Sequence, residues 1–119
     1  MFGILFVYVI LLPMLVTIKL SKMRAITKQA VNAFLLQREF KSGNTSVEIF
    51  HNASYLILFG NIIAVKYSSG KISISNAGWF SNTTKERLNG ITGVSISQKK
   101  GIWYLNGKEW NGALIEVTA

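Results

Sequence analysis

The chain contains no cysteine, no aspartate and a single histidine, His51. The missing thiol excludes disulfides, thiol catalysis and cysteine-based zinc sites. A metal centre would have to combine His51 with glutamates distant in sequence. His51 ends an expected strand beside Asn52, which places it as an exposed, unligated side chain. A Ser-His-acid triad would need the same His51, and no serine sits in an elbow motif. Glu39, Glu48, Glu86, Glu109 and Glu116 are scattered, with no local pair for acid-base work. Gly60-Asn61 and Lys99-Lys100-Gly101 read as turns, and the phosphate-loop pattern GxxxxGK[ST] is absent. The expectation is a protein that is not an enzyme and holds neither metal nor cofactor.

Proline occurs once, at Pro13, inside a run from Met1 to Ile18 that carries no charge. That run is at the low end of the roughly 17–25 residues that span a bilayer, and proline is tolerated in lipid. It lacks the positive n-region and small-x-small site of a cleaved signal peptide. Lys19, Lys22, Arg24 and Lys28 come directly after it. A signal anchor therefore fits, and the positive-inside rule puts the C-terminal part of the chain in the cytoplasm. Met23 offers a second reading, in which residues 1–22 are a misassigned leader. The expected organisation is a hydrophobic leader over 1–22 and one small basic domain over 23–119. With a formal net charge of +8, nucleic acid, anionic lipid or an acidic protein are the expected kinds of partner.

The domain reads as α+β. Thr27 is an expected N-cap, with Ile26 and Val31 as a hydrophobic staple. Ala30, Val31, Phe34 and Leu35 share a face, which predicts a helix over about Lys28 to Gln37. The Lys41-Ser42-Gly43-Asn44 turn ends it. Val47–His51, Tyr55–Phe59, Ile62–Tyr67 and Ile72–Ser75 then form a four-strand antiparallel meander. Asn52-Ala53-Ser54, Gly60-Asn61 and Ser68 to Lys71 make its turns. Within Ile72–Ser75 the isoleucines point inward and the serines outward. Thr83 and Glu86 form a capping box, and Gly90 stands at a left-handed C′ position, giving a short helix over Thr84–Asn89. Leu88 and Ile91 face its core, while Lys85, Arg87 and Asn89 face outward. A C-terminal hairpin joins Val94–Ser97 to Ile102–Leu105. Asn106-Gly107 is a type I′ signal leading to Lys108-Glu109-Trp110, and Leu114–Val117 adds an edge strand.

Aromatic and basic residues interleave in the C-terminal half, the composition that single-strand binding uses. Trp79, Trp103 and Trp110 are read as core, since a domain this small needs large rings for burial. Alternation puts Trp103 inward and Tyr104 outward. The candidate contact residues are Phe80, Lys85, Arg87, Lys99, Lys100 and Tyr104.

The strings NTSV at Asn44, GNIIA at Gly60, SNAGWF at Ser75, TTKERLN at Thr83 and QKKGIWYLNGKEWNG at Gln98 carry a resemblance. The chain resembles a small domain, of uncharacterised function, in tailed-bacteriophage accessory proteins. The resemblance covers about Met23 to Gly112 and is most specific from Gly78 to Gly112. Chains of that kind commonly begin near the MRAITKQAVNAF helix. The resemblance implies a phage origin and a compact domain, and it brings no activity to any residue. The expected location is then the host inner membrane for a start at Met1, or the host cytoplasm for a start at Met23.

Overall fold

A computed structural model describes residues 24–117. The expected leader over residues 1–22 lies outside the described residues. Among the described residues no helix is long and apolar enough to cross a membrane.

Helix α1 (Ala25–Leu36) opens the domain. A three-residue strand β1 (Phe40–Ser42) comes next, then β2 (Thr45–Phe50), β3 (Ala53–Leu58), β4 (Asn61–Lys66) and β5 (Ile72–Ile74). Helix α2 (Asn82–Asn89) is succeeded by β6 (Ile96–Lys99), β7 (Ile102–Leu105), β8 (Lys108–Glu109) and β9 (Ile115–Val117). Strands β1-β2-β3-β4-β5-β9 form one six-stranded antiparallel sheet in that order, and β6-β7-β8 form a second. The architecture is α+β, with the expected meander, C-terminal hairpin and edge strand in place.

Two-residue turns at His51-Asn52, Phe59-Gly60, Lys100-Gly101 and Asn106-Gly107 join four of the strand pairs. All eight of these residues have positive φ, as type I′ turns require. Two turns therefore sit one residue earlier than the sequence suggests, and Phe59 rather than Asn61 occupies a left-handed position. Phe40 packs half-buried against the core and pairs with Val47. That pairing makes β1 out of a segment expected to be a turn. Ser73 is buried, against expectation, because it lies between Val65 and Glu116 inside the sheet.

Helix α1 lays Ala30, Val31 and Phe34 on the sheet, where they meet Val47, Leu56, Leu58 and Ile74. Leu88, Ile91, Val94 and Trp103 belong to the same core. Gly90 corrects its sequence reading: its backbone is right-handed, at φ −72°. Its role is to leave room. A Cβ there would lie 2.9 Å from methyls of both Thr27 and Val31, so glycine lets the end of α2 press on α1.

Candidate binding surface

Two polar constructions meet at α2, one inside the protein and one on its surface. The interior one centres on Arg87, whose side chain is 0% exposed. Its Nε donates to Thr45 Oγ1 at 3.0 Å, and its Nη1 donates to Thr27 Oγ1 at 2.8 Å and pairs with Glu86. The Thr27 hydroxyl donates to Glu86 Oε1 at 2.5 Å, and Glu86 Oε2 accepts from the Arg24 backbone N–H at 3.2 Å. Burial pushes the Arg87 guanidinium below its ordinary range, and the charge of Glu86 opposes that shift.

This arrangement corrects three expectations. Thr27 does not cap α1; Arg24 stands at that N-cap without a side-chain bond, and the Thr27 hydroxyl serves the buried network. Glu86 does not close a capping box with Thr83; Ser81 caps α2, its Oγ accepting from Thr84 N–H at 3.1 Å. Arg87 does not face outward. Thr84, Arg87, Leu88 and Ile91 are all buried, and their spacing of i, i+3, i+4 and i+7 marks one helical face.

The surface construction precedes α2. Trp79 N–H donates to Asn76 O at 2.8 Å, closing a turn through Ala77 and Gly78. Ala77 has φ 53° and Gly78 φ 86°. An alanine held there costs roughly 1 kcal/mol. The turn is held from both sides: Asn76 Oδ1 accepts from Gly78 N–H at 2.8 Å, and Asn76 N–H donates to Gly112 O at 3.0 Å. Its consequence is that Trp79 and Phe80 stand outside, 62% and 57% exposed. Trp79, read from sequence as core, is thus a surface residue. Trp103 and Trp110 are buried as expected.

Phe80 sets its edge on Trp103, with ring centroids 5.1 Å apart and planes at 79°. Lys85 Nζ lies 5.6 Å from the Trp103 centroid and donates to Gln98 Oε1 at 2.6 Å. Phe80, Lys85 and Gln98 therefore meet around one buried indole. The other expected contact residues are elsewhere. Tyr104 pairs with Ser97 and Lys99 with Ile102, alternating with the Gln98–Trp103 pair. That register puts Tyr104 and Lys99 on the opposite face of the small sheet. Lys100 is exposed at the hairpin tip, and Arg87 is inside. His51 is exposed in its turn, and no three metal-ligating side chains lie together among the described residues.

The family model for Kyanoviridae Gp96 protein matches residues 23–116. The chain belongs to that family of cyanophage proteins. No curated protein and no solved structure matches it. The Gp96 match takes in both helices and both sheets, including the Trp79–Phe80 turn and Lys85. The phage origin that the sequence resemblance implied therefore holds, and the chain is a phage protein whose family fits an accessory role.

Proposed function

We propose that this domain is a non-enzymatic accessory module that binds single-stranded nucleic acid, with Trp79, Phe80 and Lys85 as its contact surface. The carrying observation is two adjacent exposed aromatics on a strained turn, beside a lysine held over the same aromatic cluster. Bases stack on exposed rings without regard to sequence, at about 1–3 kcal/mol per base, and a nearby ammonium neutralises phosphate. The net charge of +8 favours such an anionic partner.

Titration of labelled oligothymidylate into the full chain at increasing salt tests this reading. Affinity should fall linearly in log-log form, with a slope of about −0.7 per phosphate contacted. Lys85→Ala should flatten that slope by about 0.7. A salt-independent affinity, or no binding at low salt, would contradict the proposal.

A second reading rests on the uncharged run Met1–Ile18 and its basic flank. In it the domain is tethered to a membrane and engages an envelope component of host or phage. Full-length protein that stays in solution without detergent would count against it.

A further inference from the structure

Asparagine precedes glycine three times in the chain, at Asn89-Gly90, Asn106-Gly107 and Asn111-Gly112. Such a pair reacts with itself. Hydroxide removes the proton of the glycine N–H, the nitrogen bonds to the asparagine Cγ, and the Cγ–Nδ2 bond breaks with loss of ammonia. Water then opens the cyclic imide on either side of its nitrogen. Cleavage from Cγ leaves aspartate. Cleavage from the main-chain carbonyl carbon leaves isoaspartate, whose main chain runs through the side-chain methylene. Glycine favours the closure because no Cβ crowds its nitrogen and its backbone turns freely.

The fold restrains Asn89 and Asn106. Asn89 Nδ2 donates to Ile96 O at 3.1 Å and its Oδ1 accepts from Ile96 N–H at 2.6 Å. Gly90 N–H is engaged as well, by Arg87 O at 3.2 Å. Asn106 Nδ2 donates to Gly93 O at 3.1 Å and its Oδ1 accepts from Ser95 N–H at 2.8 Å. Asn111 differs. It is exposed, and its Oδ1 accepts from Ala113 N–H at 3.0 Å. Neither its Nδ2 nor Gly112 N–H has a hydrogen-bond partner among the described residues. The bond to Ala113 curls the side chain back over the next peptide, towards the nitrogen that attacks. A pair whose amide is bonded at both ends must open locally before it reacts, and that opening slows it.

We propose that Asn111 is the site at which this protein deamidates, and that isoaspartate there releases the turn that presents Trp79 and Phe80. Residue 111 stands between two anchors. Before it, Trp110 Nε1 donates to Ala113 O at 2.8 Å. After it, Gly112 O accepts from Asn76 N–H at 3.0 Å and from Ser75 Oγ at 3.1 Å. Gly112 also packs so closely on Asn76 that a Cβ there would lie 2.1 Å from Nδ2. The extra main-chain carbon of isoaspartate moves Gly112 out of register with one anchor or the other. Aspartate leaves the main chain as it was. The modification does not depend on what the surface binds.

The test incubates the full chain at mildly alkaline pH and follows each site by peptide mass mapping, with isoaspartate labelled by its methyltransferase. Asn111 should react at least about tenfold faster than Asn89 or Asn106, and faster as pH rises. In urea the three pairs should converge. Equal rates in the folded chain, or Asn89 or Asn106 reacting first, overturn the assignment. So does a folded chain that stays intact at Asn111 while the unfolded chain reacts there. Hydrogen exchange then compares the isoaspartyl fraction, resolved by chromatography, with Asn111→Asp. The Asn76 and Trp79 amides should lose protection in the isoaspartyl form and keep it in Asn111→Asp. Equal protection in the two overturns the released turn.

Discussion

The two polar constructions at α2 use similar residue types to opposite effect. Around Arg87 a guanidinium, a carboxylate and two threonine hydroxyls are drawn inside and satisfy one another. Around Asn76, well before it in the chain, a buried amide nitrogen has no partner among the described residues, the backbone is strained at Ala77, and two large rings are pushed out. The first arrangement closes its bonds within the chain, and so ties α1, α2 and β2 together. The second leaves two large rings on the surface, which is where binding residues are expected to violate local rules. A charged residue in a helix next to aromatics is therefore no guide to a binding site until its bonds are traced.

The largest effect should come from breaking the satisfied side. Arg87→Met strands Glu86 and the threonine hydroxyls, and should cost about 3–5 kcal/mol in urea unfolding. The double change Arg87→Met with Glu86→Leu should recover much of that, because a buried pair replaced by apolar groups is often neutral. Next is the close approach of the two helices. Gly90→Ala drives a methyl into Thr27 and Val31, and should cost about 1–3 kcal/mol by the same measurement. The smallest effect belongs to the strained side. Ala77→Gly removes the left-handed penalty and should stabilise by up to about 1 kcal/mol. No gain there would mean that the turn stores no strain.

The sequence carried the meander well, because alternation and two-residue turn signals are local properties. It carried β1 poorly: Phe40 becomes a strand only by pairing with Val47, which no local pattern announces. The misreading of Arg87 was avoidable in part. Its spacing from Thr84, Leu88 and Ile91 was visible, but a cation is normally placed outside unless its partners are known, and Thr27 and Thr45 are distant in sequence. Thr83-x-x-Glu86 imitates a capping box, yet Glu86 bonds α1 instead. Trp79 was the opposite case. Its size argued for burial, while the turn geometry at Ala77 and Gly78 that exposes it depends on Gly112 from the far end of the chain.

The most direct measurement pairs stability with affinity in one variant, Trp79→Ala. Urea unfolding and oligothymidylate titration would be run on the same preparation. The expected result is an unfolding free energy within about 0.5 kcal/mol of the parent, since the ring is exposed, together with an affinity loss of about 1–3 kcal/mol from the lost stacking. An unchanged affinity would contradict the assignment of this turn as the binding surface. A large loss of stability would contradict the division between a structural interior and an open corner.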